Sequence, residues 1–264
     1  MLIQYLVNVK KLTSAVLDRS LFTFENWGQY ARDFLNMAGT SQYAVRFTNN
    51  VRMFLRPGTS DKWVIQETIL QDDYRLQAMD LKNATVIDLG ANIGVVSVSA
   101  AAQGAAHVYA YEPAPANFEM LTKNVASNGM ESVVRTFNMA AADAEMTLEF
   151  YLDSANPSGN SMFERRGTKI DVQGTTLPRI FETNGIGTCD LLKMDIEGAE
   201  FAVLYTTPPG LFTRIRRIYL ECHKAAAPRH NDTDLSAFLR QQGYRVEIGR
   251  SIDWRISRLY CERT

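Results

Sequence analysis

The stretch Asp88-Leu89-Gly90-Ala91-Asn92-Ile93-Gly94 decides the fold. An apolar run, Thr85-Val86-Ile87, leads into it and reads as a short buried strand. Val95-Val96-Ser97-Val98 leads out and reads as a helix that stops at Gly104. The seven residues between them form a tight glycine-bearing turn with a carboxylate at its mouth. Such a turn lets a small ligand approach the backbone and meet a helix N-terminus.

Outward from the turn the pattern repeats. Strand 107–111 ends in Glu112-Pro113, and Pro115 opens a helix closed by Asn128-Gly129. Strand 133–138 runs into Asn138-Met139-Ala140-Ala141-Ala142-Asp143. Residues 147–151 and 170–173 read as strands around a polar loop at 154–162, followed by a short helix at 177–183. Strand 189–194 ends in Asp195-Ile196-Glu197-Gly198-Ala199-Glu200, and strand 215–220 ends in Glu221-Cys222-His223. A helix from Asp232 or Thr233 and two closing strands, 244–248 and 255–261, complete the chain. Strand and helix in alternation, then a terminal strand pair, predict a three-layer α/β sandwich.

Ahead of this repeat, residues 2–17 and 24–38 read as helices, the second with Phe24, Trp27, Ala31, Phe34 and Leu35 near one face. That stripe must pack on the chain's own domain, on a second subunit as a homodimer, or as a lid. Residues 43–47 and 51–55 alternate as a hairpin about Asn49-Asn50. A strict two-residue loop would pair Phe47 with Arg52 and mix the faces, so a bulge or a longer loop is the alternative. A helix is expected over 61–71. The division predicted is 1–82, helices and hairpin, and 83–264, the catalytic domain.

With 264 residues, 46% hydrophobic and 22% charged, the chain suits one large domain or a domain with an appendage. A net charge of -1 offers no general attraction to nucleic acid. Cys189, Cys222 and Cys261 lack metal-type spacing and, with no secretory signal, suit a reducing cytoplasm. The apolar N-terminal run is interrupted by Asn8, Lys10 and Lys11, short of the ~20 residues of a membrane span.

Two ligand classes compete for the turn. A dinucleotide site needs G-x-G-x-x-G, whose middle glycine admits a pyrophosphate. Here Asn92 stands in the middle position, and Asp88 would repel phosphate. A cationic, phosphate-free ligand such as S-adenosylmethionine fits that charge better than NAD. Glu112, at the end of the next strand, can accept hydrogen bonds from both ribose hydroxyls. Plainer roles compete: a helix N-cap for Asp88 and an ordinary strand-end carboxylate for Glu112.

The runs Val86 to Gly94, Tyr111-Glu112-Pro113 and Leu192-Lys193-Met194-Asp195-Ile196-Glu197-Gly198-Ala199-Glu200 together resemble the FkbM family of S-adenosylmethionine-dependent methyltransferases. The resemblance extends from about Arg56 to His223 and includes Asp61, similar to a recurring aspartate of the family. It implies a class I methyltransferase (Rossmann-like) fold: a mostly parallel seven-stranded sheet with its last strand antiparallel. It also implies that Asp88, Gly90 and Asn92 meet the methionine moiety, with Ala91 and Gly94 in the same turn. Glu112, beside Pro113, would hold the ribose. Asn138 to Asp143 would pass the adenine, with Ala141 or Ala142 as backbone contacts.

Methyl transfer is an in-line displacement, so the protein must orient a nucleophile and remove its proton. Candidates lie after two strands: Lys193, Asp195 and Glu197 on one, Glu221 and His223 on the other. Asp195 borders the cofactor as well. In one mechanism His223 or Asp195 is a general base. In the other, Asp195, Glu221 and His223 hold a divalent cation such as Mg2+. The metal-free route is the expectation carried forward. Lys193 also has the plainer role of neutralising the carboxylates, and His223 that of a packed histidine. The expected activity is O-methylation of a small-molecule hydroxyl, on a sugar or secondary metabolite, with carboxyl or amine acceptors as the alternative.

Overall fold

The structure is a computed structural model that describes residues 27–37, 39–152, 167–249 and 255–263. The helix expected over 2–17, the start of the second helix, the loop at 154–162 and Arg165-Arg166 lie outside the described residues.

The described chain opens with α1 (Trp27–Phe34) and the hairpin β1 (Tyr43–Arg46) and β2 (Arg52–Leu55). Phe47 pairs with Val51 across a three-residue loop, with N–H to carbonyl 2.8 Å and Asn50 left-handed at φ 66°. The longer loop keeps the faces apart: Val45 meets Met53 inside, and Arg46 meets Arg52 outside. Next, α2 (Asp61–Ile65) runs into a π turn at Gln66–Leu70, where the sequence predicts one continuous helix.

The main sheet then assembles from β3 (Thr85–Leu89), β4 (His107–Tyr111) and β5 (Val134–Phe137). Between them run α3 (Val95–Ala102) and α4 (Pro115–Ser127). A side sheet holds β6 (Ala140–Ala141), β7 (Thr147–Leu152) and β8 (Thr168–Thr175), in the order β6-β8-β7. Helix α5 (Leu177–Thr183) returns the chain to β9 (Leu191–Met194). Then follow α6 (Glu200–Thr206), α7 (Pro209–Phe212), β10 (Arg217–His223), α8 (Asp232–Gln241), β11 (Tyr244–Ile248) and β12 (Ile256–Arg263). The seven-stranded order is β11-β12-β10-β9-β3-β4-β5, parallel except that β12 runs antiparallel to both its neighbours. This is the sheet the sequence predicts.

Both faces of the sheet are covered, which is why its strands are apolar nearly throughout. Val86, Val108, Ala110 and Leu191 pack with the hairpin, α1, α3 and α4. Ile87, Leu89, Leu192, Met194 and Leu220 pack under α5, α6, α7 and α8. The sequence places the fifth parallel strand at 215–220, but it spans Arg217–His223, and Ile215 makes only an isolated bridge to Cys189. Pairing with β12, as far as His223 opposite Ile256, carries the strand through Glu221 and His223.

The N-terminal elements share this core. Asn124 of α4 and its C-cap residue Asn128 hydrogen-bond the backbone of Phe54 and Arg52, so two side-chain amides cover the edge of β2. In α1, Tyr30, Ala31 and Phe34 are buried, with Phe34 edge-on to Trp63 at 4.6 Å, while Trp27 stays half exposed. The described part of the aromatic stripe therefore packs mainly against the chain itself. Buried Asp33 accepts from Tyr43 Oη at 2.8 Å and Gly58 N at 2.9 Å, and pairs with buried Lys62 at 3.1 Å. Asp33→Ala strands the Lys62 charge, and urea denaturation is expected to record a loss of about 3–5 kcal/mol. A loss no larger than that of an ordinary surface substitution would remove Asp33 from this anchoring role.

Candidate active site

The turn after β3 is shaped by close packing. Gly90 has φ 72°, and a Cβ there would stand 1.7 Å from the carbonyl oxygen of Asp195. Only glycine meets both demands. Gly90 N and Ala91 N each donate to Tyr111 O at 3.0 Å. Asn92 also takes a left-handed backbone, φ 51°, and its Oδ1 accepts from Ile93 N at 2.8 Å. Gly94, φ 89°, lies where a Cβ would reach Leu121 Cδ1 at 2.6 Å.

Asp88 does not stand at the mouth, contrary to the sequence expectation. It is fully buried, accepts from Ser97 Oγ at 2.6 Å, and lies 3.3 Å from the ammonium of Lys193. The two residues are Cα partners across β3 and β9, so the sheet register dictates their pairing. Lys193 Nζ also donates to Gly90 O at 2.6 Å and Leu89 O at 3.3 Å. Burial opposes the lysine charge, but Asp88, Asp195 and Glu221 outweigh it and raise its pKa. Lys193 thus supports the turn from below.

Glu112 sits above the turn, buried, with Oε2 accepting from Asn92 N at 2.8 Å and Oε1 from Ala114 N at 2.9 Å. The Asn117 side chain donates to it as well, which leaves about one of its four acceptor sites for a hydroxyl. Burial pushes its pKa up to about 7, against those hydrogen bonds and Lys193. Asn138 donates to the carbonyls of Glu112 and Pro113 at 2.8 and 3.0 Å and so fixes that corner. Ala141 is buried in β6, and Ala142 N donates to Thr175 O at 2.8 Å.

The second half of the site gathers after β9 and β10. His223 Nδ1 lies 2.8 Å from Oε1 of Glu200, which is fully buried at the start of α6. Its Nε2 faces Glu197 Oε2 at 3.6 Å and Asp195 Oδ1 at 3.9 Å. Glu197 is held at φ 53° beside Gly198 at φ 104°, and this turn aims its carboxylate back over the strand ends. Tyr74 Oη donates to Asp195 Oδ2 at 3.3 Å. Burial opposes a charge on His223, yet Glu200, Glu197 and Asp195 raise its pKa well above the usual value. Burial and neighbouring acids raise Glu197 and Glu221 as well.

Glu221 departs from the sequence expectation. It faces Arg258, its Cα partner on β12, with Nε to Oε1 3.2 Å. Arg258 also pairs with Asp73. The His-carboxylate group of the described residues that suits a cation is Asp195, Glu197 and His223; Glu197 takes the place the sequence reading gave to Glu221. Sequence reasoning missed Tyr74, Arg258 and the role of Glu200. Glu200 was within reach, because it closes the Lys193 to Glu200 block on which the resemblance rests.

The family described as "Methyltransferase FkbM domain" matches residues 88–246. The chain belongs to the FkbM methyltransferase family. It is 24% identical over 204 residues to methyltransferase sdnD of Sordaria araneosa, covering 65% of this chain and 77% of that one. It is 25% identical over 214 residues to the hexuronic acid methyltransferase AglP of Haloferax volcanii, covering 80% and 82%. The fold resembles that of the SAM-dependent methyltransferase of Agrobacterium tumefaciens (TM-score 0.51, 14% identity, 88% of this chain and 73% of that chain). This FkbM protein is therefore an S-adenosylmethionine-dependent methyltransferase.

The site's donor set fits that cofactor. Glu112 and Asp195 are acceptors, suited to hydroxyls and an ammonium. Lys193, the cation that reaches the turn, is already committed to three oxygens. The raised pKa of Glu112 carries a consequence for the cofactor-free enzyme. A carboxyl at about 7 when folded and near 4.5 when unfolded favours the fold while protonated. Its contribution is complete below the unfolded value and is lost as pH rises through about 7. Glu112→Gln is therefore expected to flatten the fall in stability between about pH 5 and about pH 8 in urea titrations. An unchanged slope refutes the assignment.

Proposed function

We propose that this enzyme methylates a hydroxyl of a small molecule, a sugar or a secondary metabolite, with Asp195 taking the proton. The observation that carries the reading is the contact between the two halves of the site. The Asp195 carbonyl fills the space above Gly90, so its carboxylate is fixed beside the cofactor turn. The bound S-adenosylmethionine supplies an electrophilic methyl on a sulfonium.

Tyr74 steadies Asp195 by its Oδ2, which keeps a second lone pair for an acceptor proton. Glu112 and the turn backbone hold the cofactor's ribose and methionine parts, and Lys193 fixes the carbonyls that shape the turn. Glu197 and Glu200 crowd negative charge around His223. A hydroxyl of a uronic acid or related sugar is compatible, and one relative is named for hexuronic acid. Three buried free thiols suit a reducing, cytoplasmic setting. No described helix is long and apolar enough to cross a membrane.

Asp195→Asn is expected to lower turnover with labelled S-adenosylmethionine and a sugar acceptor panel by about 10²–10⁴-fold. Calorimetric binding of S-adenosylhomocysteine should persist, weakened by no more than about 1–3 kcal/mol. Wild-type turnover in the variant removes Asp195 from the chemistry. For Glu112→Ala, a loss of about 1–3 kcal/mol in S-adenosylhomocysteine affinity is expected from the ribose hydrogen bonds; equal affinity overturns the ribose role.

A further inference from the structure

We infer that Asp195, Glu197 and His223 form a binding site for a hard divalent cation of the Mg2+ or Mn2+ kind. The inference rests on the methyltransferase reading above only for what the cation does, not for where it binds. One ligand atom from each of the three residues lies within 4.8 Å of the other two. His223 Nε2 stands 3.6 Å from Glu197 Oε2 and 3.9 Å from Asp195 Oδ1. These separations exceed a hydrogen bond. Both are shorter than the ~4.2 Å that two ~2.1 Å metal bonds can span, so His223 Nε2 and each carboxylate oxygen are within reach of one shared ion.

The support behind the histidine is independent of that spacing. Ligating histidines usually pass their second ring nitrogen to a carboxylate, which fixes the ring and raises its basicity. Glu200 does this for His223: its Oε1 is 2.8 Å from Nδ1, and the side chain is fully buried. Its other oxygen has no hydrogen-bond partner among the described residues. Oε1 also accepts from Ile196 N at 3.1 Å, which ties the histidine to the loop carrying Asp195 and Glu197. The arrangement sets three carboxylates around one imidazole. Glu221 adds no ligand, because Arg258 already occupies it.

Two carboxylate oxygens and one imidazole nitrogen suit Mg2+ or Mn2+ better than a thiophilic metal, and leave positions for water or an acceptor oxygen. A hydroxyl bound there would be acidified by the ion. Asp195 can bind through Oδ1, which faces His223, while Oδ2 beside Tyr74 remains the proton acceptor. The cation then complements the proposed base instead of replacing it.

The test uses the purified full-length chain, stripped with chelator and titrated with Mn2+ alone, by calorimetry and by loss of the free-Mn2+ paramagnetic resonance signal. Saturable binding to a single class of site is expected. Glu197→Gln should abolish it, and Glu200→Gln, which alters the group behind the histidine and not a ligand, should weaken it by about 10–100-fold. Glu221→Gln should leave Mn2+ affinity near wild type. Thermal unfolding and S-adenosylhomocysteine binding of each variant establish that it is folded. No saturable Mn2+ binding to a wild-type protein that binds S-adenosylhomocysteine overturns the cation site and leaves the methyltransferase reading intact. Failure to bind S-adenosylhomocysteine strikes that reading instead, whatever Mn2+ does. If Glu221→Gln loses Mn2+ as completely as Glu197→Gln, the ligand set is wrong.

Discussion

The ammonium of Lys193 is the constraint on which both halves of the site depend. It is buried between the central strands β3 and β9, against Asp88 and the carbonyls of Leu89 and Gly90. A charge in that position is costly unless every donor is used. Here its three partners are oxygens of the strand end and the turn. The same strand then continues into Asp195, whose backbone carbonyl closes on Gly90. Cofactor turn and candidate base are thus two consequences of one buried contact, and neither can shift without disturbing the other.

Sheet register explains how the remaining charges are divided. Asp88 and Glu221 are strand residues with basic Cα partners, Lys193 and Arg258, and both are neutralised across the sheet. Asp195, Glu197 and Glu200 lie beyond Met194, the last residue of β9, and they converge on His223. Acids within the pairing become structural, and acids past its end become available for chemistry. That boundary is why β10, running to His223, matters to function: it places Glu221 inside the pairing and His223 at its last rung.

The same boundary separates what was legible in the sequence from what was not. Apolar runs, the glycine turn and the Lys193 to Glu200 block foretell the sheet and its family, because each depends on local pattern. Spacing along a strand also places Glu221 and His223 on one face correctly. It does not say which acid meets an arginine, since Arg258 arrives from β12, 37 positions away. For the same reason Asp88 reads as a mouth carboxylate in the sequence, although its pairing with Lys193 spans two strands. Tyr74 carries no signal at all: it follows a π turn, in a segment without periodicity, and gains its role only where that segment crosses Asp195.

Asn92 shows how the turn does without the middle glycine of a dinucleotide site. A glycine there would leave its backbone open to a pyrophosphate. Asn92 adopts the same left-handed region at small cost, being among the residues that tolerate it. Its N–H is taken by Glu112, and its side chain caps Ile93 N. The donors that a phosphate would need are therefore consumed inside the protein. What the turn still presents is a carboxylate on each flank, Glu112 and Asp195. Preference for a cationic cofactor thus does not require Asp88 at the mouth. It follows from spending the N–H groups internally and flanking the turn with two carboxylates.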